Sequence, residues 1–306
     1  MGTYILIVRP GAIGDTLLTF PLLRAFKKRD RDVHITFVSN PTVLPLAQKF
    51  GLADAVFDYG ALEWSEIFSQ NGIRSAFMQA ITRATDRAIC WLRDPDDVVQ
   101  RNLSAIGIAD VTVAPGRPIE ASGMHAVMYL AQTIGMMLTK QERSQAFASG
   151  SAHDAQGVAI HPGSGGAAKC WPVTHFAAII TALWQYKIPV LLLAGPADTE
   201  RLSTLMKLIA PPPTPLLLKL VVNTPLIEVA EHLQHCKGYL GNDSGITHLA
   251  AMLGLPTIVL FGPSSPTVWR PVGPDVHVLH EPVLEHLSVE VVMDMLLMVC
   301  DIKLNN

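Results

Sequence analysis

Residues 239–262 read YLGNDSGITHLAAMLGLPTIVLFG, and this order of residue types describes a strand, a polar turn, a helix and a second strand. Tyr239 and Leu240 close a short apolar run, and Gly241-Asn242-Asp243-Ser244-Gly245 is dense in turn and helix-capping residues. From Ile246 to Leu253 the apolar residues recur at helical spacing, and Gly254 stops the helix. Thr257 to Phe261 is an unbroken apolar run, the pattern of a parallel strand covered on both faces. A strand that passes into a helix through Asp-Ser-Gly sets unpaired N–H groups and the positive end of a helix dipole at the carboxyl edge of a sheet. Such an edge binds anions, typically phosphate. Asp243 and Ser244 are equally the residues that cap helices in proteins that bind nothing there. His248, one turn into the helix, and a second Gly-rich turn upstream favour the ligand reading.

The rest of the chain suits an ordinary globular protein: 306 residues, 49% hydrophobic and 16% charged. That length accommodates two domains of roughly 150 residues each. No apolar run approaches the roughly 18 residues of a membrane span. The chain enters a strand at once, without a basic leader and cleavage site, so a cytoplasmic location is expected. Cys90, Cys170, Cys236 and Cys300 are scattered without C-x-x-C pairing, which argues for reduced thiols and against a disulfide framework or zinc site. His232, His235 and Cys236 share a helical stretch but lack a further ligand nearby, so an ordinary helix face is expected there. The net charge of −3 offers no general attraction to nucleic acid. The first 155 residues hold 15 basic and 15 acidic residues and the remainder 8 and 11. The basic run Arg24, Lys27, Lys28, Arg29 and Arg31 suits the end of a solvated helix, or attraction to an anionic membrane surface or acceptor.

Strands are expected at Tyr4 to Arg9, His34 to Val38, Ala55 to Tyr59, Ala88 to Leu92 and Asp110 to Val113, with helical patterns between them. Asp15 to Lys28 reads as a helix with a kink or a loosened turn at Pro21, which has no N–H for the Leu17 carbonyl. Residues 140–157 lose apolar periodicity and mark a linker, giving domains 1–150 and 151–306. The second domain repeats the plan: Val158 to His161, a helix from Val173 to Tyr186, Pro189 to Ala194, a helix from about Ala197, Leu216 to Val221 and a helix from Pro225 to His235. A last helix, Leu287 to Ile302, is apolar enough to be packed, with the first domain as an expected partner. Strand and helix alternate throughout, so the fold class is α/β with doubly wound parallel sheets.

Three strand-to-helix loops concentrate the chemistry: Arg9 to Asp15 (RPGAIGD), His161 to Pro172 (HPGSGGAAKCWP) and Asn242 to His248 (NDSGITH). Ligands of open α/β sheets sit at the carboxyl ends of strands, where all three loops belong. Gly163, Gly165 and Ala168 formally satisfy the dinucleotide pattern G-x-G-x-x-A. Pro172, however, delays the helix beyond that motif, no acidic residue closes the next strand before Gly195, and no Gly-Lys-Ser/Thr follows. Lys169 after the Gly-rich loop supplies a cation for a pyrophosphate, to which Ser164 and loop N–H groups add hydrogen bonds. It also reads as a solvated loop charge.

Taken together, ILIVRPGAIGDTLLTFPLLRAF, AIHPGSGGAAKCWP and YLGNDSGITHLAAMLGLPTIVLFGPSSPTVWRP resemble glycosyltransferase family 9, the lipopolysaccharide heptosyltransferases. The resemblance implies a GT-B fold, two Rossmann-like domains facing a cleft, the first binding acceptor and the second a nucleotide sugar. It implies inverting, metal-independent transfer from ADP-heptose to a lipid-linked or core oligosaccharide acceptor, with no cofactor beyond the donor substrate and peripheral contact with the inner membrane. On this resemblance Asp15 matches the general base and Lys169 the lysine at the donor phosphates. Ser164 matches a hydroxyl of the phosphate loop, Asp243, Ser244, Gly245 and His248 the donor-binding D-[ST]-G-x-x-H, and Gly11, Gly14, Gly163 and Gly165 the glycine turns. The chain departs from many relatives in Gly166-Ala167-Ala168, where they are polar or basic, in Cys170 after the lysine, and in a first domain that is neutral rather than basic. A GT-B transferase or epimerase using another nucleotide sugar, and a binding protein that has lost its chemistry, are the alternatives. Asp15 itself reads either as a base or as a helix cap, a role Asn would fill about as well.

Overall fold

The computed structural model describes residues 2–147 and 155–302. The chain forms two compact units, Met1–Arg143 and Ser144–Asn306. The first holds β1 (Tyr4–Arg9), β2 (His34–Ser39), β3 (Ala55–Asp58), β4 (Arg87–Trp91) and β5 (Asp110–Ala114) in the order β3-β2-β1-β4-β5. The second holds β6 (Val158–His161), β7 (Val190–Ala194), β8 (Leu218–Val222), β9 (Gly238–Asn242), β10 (Thr257–Phe261) and β11 (Val276–His280) in the order β11-β10-β9-β6-β7-β8. Every pairing between these strands is parallel. Each sheet starts near its middle, winds outward to one side and then returns to wind outward on the other. The reversal falls between β1 and β4 in the first unit and between β6 and β9 in the second, and there the flanking loops part to leave a crevice.

Crossover helices cover both faces of each sheet, which is why the central strands are unbroken apolar runs rather than alternating ones. Every residue of β6, β7, β9 and β10 is buried. In the second unit Val158, Ile160, Leu240, Ile258 and Leu260 pack with Trp171, Phe176 and Ile180. In the first, Leu6, Val8 and Val38 pack with Trp64, Met78, Val99 and Leu103. Each fully buried aliphatic or aromatic side chain contributes about 1.5–3 kcal/mol relative to exposure.

The structure corrects several expectations. The helix expected from Asp15 to Lys28 is two helices, Ile13–Leu17 and Phe20–Arg29, because the chain breaks at Leu18 and Thr19 and restarts with Pro21 in the first turn. Pro21 therefore stands where an N–H has no helical acceptor, and the break spares it a lost bond. Strand β8 begins at Leu218 because Pro215–Leu217 form a 3₁₀ turn. Strand β11 is absent from the reading of the sequence: VHVLH at a half-exposed edge lacks the unbroken apolar run of the inner strands. The last helix, Val289–Val299, sends Val292 and Leu296 into the second unit's core, which Cys300 joins just beyond it. The division between units falls between Arg143 and Ser144, and residues 150 and 151, where the sequence placed the boundary, lie outside the described residues.

Since Pro21 sits at a helix start, Pro21→Ala should lower stability by about 0.4–1 kcal/mol through greater freedom of the unfolded chain. Denaturant unfolding checks this, and a rise in stability would reveal strain at the break.

Candidate functional site

In the second unit, β6 and β9 end in register, His161 opposite Gly241, so their loops leave the sheet side by side at the reversal of strand order. Asn242, the last residue of β9, is 0% exposed. Its Nδ2 donates to the carbonyls of Pro162 (2.8 Å) and Gly163 (3.3 Å), and its Oδ1 accepts the Trp171 N–H (2.9 Å). One amide thus ties both ends of the 162–171 loop to β9. The Trp171 ring is buried, with Nε1 donating to the Leu287 carbonyl at 2.9 Å. The loop closes with a 3₁₀ turn at Ala167–Lys169, and the helix starts only at Val173, as Pro172 implied.

This loop brings Lys169 to Asp243, with Nζ 2.7 Å from Oδ2. Asp243 is buried and takes a second hydrogen bond on the same oxygen from Ser264 Oγ at 2.7 Å. Its role in the structure is therefore to station the lysine. The Lys169 side chain is 39% exposed, and its ammonium gives Asp243 one of its three N–H bonds. Ser164 Oγ donates to the Asp243 carbonyl at 2.6 Å, tying the glycine loop to the loop after β9. Next along the chain, Ser244 caps the helix Gly245–Met252, accepting the Thr247 N–H at 3.4 Å. Gly245 and Ile246 carry first-turn N–H groups, for which an α-helix has no acceptor of its own. His248 N–H bonds the Ser244 carbonyl (3.2 Å), and its side chain is buried in the helix's inner face.

Behind Ser244 lies a buried pair not singled out in the sequence. His161 Nε2 is 3.0 Å from Asp198 Oδ2, and His161 Nδ1 is 3.3 Å from Ser244 Oγ. The Gly195 N–H also bonds Asp198 Oδ2 at 2.8 Å. Burial by itself would raise the Asp198 pKa, but the hydrogen bond and charge of His161, the Gly195 N–H and the Arg201 charge together hold it below the ordinary carboxylate value. Gly163 is the residue this pair requires: a Cβ there would stand 1.9 Å from Asp198 Oδ1. Gly165, by contrast, is exposed with open space around it.

In the first unit Asp15 lies in the third position of the helix Ile13–Leu17, which also contains Gly14. Each of its oxygens holds two donors. Oδ1 meets Arg9 Nη2 and Arg117 Nε, both at 3.3 Å; Oδ2 meets Arg117 Nη2 at 2.6 Å and the Ala12 N–H at 3.3 Å. The two arginines differ in setting. Arg9 ends β1, is 4% exposed, and also donates to the carbonyls of Pro10 (2.7 Å) and Gly116 (2.9 Å). Desolvation lowers its pKa, and the neighbouring Asp15 charge opposes that. The Arg117 side chain is 65% exposed. Gly11 has φ of 152°, and a Cβ there would meet Asp15 Cβ at 2.8 Å, so only glycine leaves the carboxylate its place.

Asp15 is thus both a cap, through Ala12, and the counter-ion of a buried guanidinium. Asparagine cannot replace it without loss, contrary to what capping alone implies. Asp15→Asn should cost about 3 kcal/mol, the low end for breaking a buried ion pair, because Arg9 keeps two carbonyl acceptors. Arg117→Ala should cost at most about 1 kcal/mol, as for an exposed pair. Denaturant unfolding of both variants checks the contrast, which fails if the two losses are equal.

Among the described residues no cluster of His, Cys, Asp and Glu is arranged to hold a metal ion, and none of their helices is long and apolar enough to cross a membrane. All four cysteines are buried and unpaired in disulfides. His232 Nδ1 lies 3.2 Å from Lys219 Nζ.

Residues 125–291 match the model of glycosyltransferase family 9 (heptosyltransferase). Lipopolysaccharide heptosyltransferase 3 of Escherichia coli is 32% identical over 114 residues, 37% of this chain and 33% of that protein, so the match spans about a third of its curated relative. The solved E. coli ADP-heptose lipopolysaccharide heptosyltransferase II superimposes with a TM-score of 0.74 at 19% identity, covering 97% of this chain and 98% of that one. A family 9 glycosyl transferase from Veillonella parvula gives a TM-score of 0.76 at 17% identity, covering 98% of each chain. These superpositions establish the fold as GT-B, with its two Rossmann-like domains. The family match takes in over half of the chain, including Ser164, Lys169 and the whole Asp243 to His248 turn, and the chain belongs to glycosyltransferase family 9, the heptosyltransferase family.

Proposed function

We propose that this protein is an inverting, metal-independent glycosyltransferase that moves heptose from ADP-heptose to a lipopolysaccharide core or related envelope-glycan acceptor, met at the inner face of the cytoplasmic membrane. The observation that carries the reading is Lys169, held by Asp243 at the reversal point of the second sheet beside the first turn of the helix Gly245–Met252. A sugar leaving a nucleotide diphosphate transfers negative charge to the pyrophosphate as the bond breaks. Lys169 and the N–H groups of Gly245 and Ile246 are donors of the kind that stabilise that charge. They do the work that a divalent ion performs elsewhere; the chain's Asp-x-Asp triplets, Asp30-Arg31-Asp32 and Asp94-Pro95-Asp96, belong to the first unit, whereas Lys169 belongs to the second. The adenine and heptose of the donor are inferred from the name of the E. coli structural relative.

In a single displacement the acceptor oxygen attacks the anomeric carbon opposite the departing diphosphate, its configuration inverts, and the hydroxyl proton passes to a base. Asp15 is assigned that role. Since its two oxygens already hold four donors, one donor must yield to the acceptor hydroxyl. Arg117, whose side chain is 65% exposed, is assigned to yield, since Arg9 is held by burial and two carbonyls.

ADP, compared with UDP, GDP and CDP in a thermal-shift panel, should stabilise the protein by about 2.7 kcal/mol at a hundredfold excess over its dissociation constant. The shift should survive EDTA, and abolition by EDTA would refute metal independence. Lys169→Ala should weaken ADP binding by about 1.5–3 kcal/mol, the range for a charge-assisted hydrogen bond. The ligand-free protein should lose about 1–3 kcal/mol, because the buried Asp243 carboxylate keeps the Ser264 hydroxyl but loses its cation, so ADP affinity is measured where the variant is folded. Asp15→Asn, assayed at a temperature where it is folded, should lose at least about a hundredfold in turnover with ADP affinity retained. Retention of most turnover would reduce Asp15 to a structural residue.

A further inference from the structure

The lone pairs of Asp15 are all taken within the first unit. A carboxylate offers about four acceptor sites, and those of Asp15 are filled by Arg9 Nη2 and Arg117 Nε on Oδ1 and by Arg117 Nη2 and the Ala12 N–H on Oδ2. A general base has to accept a proton, so none can pass to this carboxylate until a contact opens. Two of the donors are built in. Arg9 is buried and spans two carbonyls, and the Ala12 N–H belongs to the backbone at the start of the helix Ile13–Leu17. Arg117 supplies the remaining contacts from one side chain, 65% exposed, so that a rotation of this side chain vacates a site on each oxygen.

The loop after β5 is shaped to deliver that side chain. Gly116 lies against Arg9: a Cβ there would stand 2.5 Å from Arg9 Nη1 and 2.8 Å from the Trp91 carbonyl oxygen. On the other side Pro118 restrains the Arg117 backbone, since a residue before proline is biased to extended conformations. The backbone is therefore held, and the side chain is the part that can move. Its guanidinium stays charged throughout the ordinary pH range, and the hydrogen bond and charge of Asp15 raise its pKa further, with burial opposing. Deprotonation of the arginine does not open the contact.

We propose that Arg117 is a positioning residue that selects the acceptor over water, by covering Asp15 until a bound acceptor displaces it. The proposal rests on the reading of Asp15 as the base and of ADP-heptose as the donor. Water is the competing nucleophile. In hydrolysis a water oxygen bonds the anomeric carbon, the bond from that carbon to the diphosphate oxygen breaks with its electron pair staying on ADP, and one water proton passes to Asp15; the products are heptose and ADP. To reach the carboxylate, water has to open a charge-assisted, two-point contact with nothing but its own neutral hydrogen bonds. An acceptor saccharide also brings the binding free energy of its non-reacting parts, which can drive a rearrangement that water cannot. Arg117 thus lowers the affinity for acceptor somewhat and denies water the base.

The test is release of ADP from saturating ADP-heptose with no acceptor present. Arg117→Ala leaves Asp15 with Arg9 and Ala12 and should hydrolyse the donor about fivefold faster than wild type, the factor that corresponds to opening an exposed ion pair of about 1 kcal/mol. A merely structural arginine would give the opposite, a rate that falls with stability. Combining Arg117→Ala with Asp15→Asn, at a temperature where the double variant is folded, should remove the rise, because the admitted water needs the carboxylate. Arg117→Lys provides an independent arm should the double variant not fold: it restores a cation without the two-pronged fork, and its rate should lie between wild type and Arg117→Ala. Hydrolysis by Arg117→Ala at or below the wild-type rate, a rise that survives Asp15→Asn, or a lysine variant no slower than the alanine one overturns the proposal. The donor reading stands apart from these outcomes, since calorimetric binding of ADP-heptose to wild type reports on it alone. Failure of wild type to bind ADP-heptose overturns both.

Discussion

The buried side-chain amide of Asn242 is the contact on which the candidate site depends. It stands where the second sheet reverses its winding, the one place in such a fold where two neighbouring loops diverge and leave backbone groups unpaired. Its amide supplies the missing partners, two carbonyls on one loop end and an N–H on the other. With that loop anchored, Lys169 reaches Asp243, Ser164 reaches the Asp243 carbonyl, and His161 reaches Ser244. Buried polar networks of this kind are rigid when complete and costly when one member is missing.

The first unit solves the same problem with charge. Arg9, at the end of the central strand β1, spans from Pro10 to Gly116 and meets Asp15, so the loops after β1 and β5 are joined by a guanidinium. Ser39, ending β2, adds a hydrogen bond to the Arg9 carbonyl at 2.5 Å and lies 3.1 Å from Thr16 Oγ1. A buried charge needs a counter-ion. This gives Asp15 a structural duty alongside the catalytic one assigned to it, and the duties differ in what they ask of the carboxylate. The first needs only its charge, the second a lone pair that a donor can vacate.

The site was half legible in the sequence. Lys169, Asp243, Ser244 and the glycine turns stand out because loop chemistry is local: turn residues, caps and a cation lie within a few positions of one another. Asp243 also holds Lys169. Arg9 and His161 were visible as the first residues of two loops but had no assigned partner. Arg9 bonds the Gly116 carbonyl, 107 residues on in the loop after β5, and His161 meets Asp198, 37 residues on in the loop after β7. Pairings of that separation leave no periodic or spacing signal; only the order of strands in the sheet makes them neighbours. Strand β11 escaped notice for a different reason, since an edge strand needs no unbroken apolar run.

The alternation of buried strands and covering helices, and with it two parallel α/β sheets whose loops carry the polar residues, is written in the local pattern of the sequence. Apolar runs and helical spacing are properties of short segments, and short segments are readable one at a time. The sequence alone also determined where the glycines stand, but not which of them are indispensable. Gly11 and Gly163 are required because a Cβ would strike Asp15 and Asp198, whereas Gly165 faces open space. The tertiary structure alone decided which charges are buried together, that Arg9 needs Asp15, and that His161 stands between Asp198 and Ser244. Burial is what turns such pairings from incidental contacts into requirements, because a charge or ring nitrogen removed from water must find its partner inside the protein.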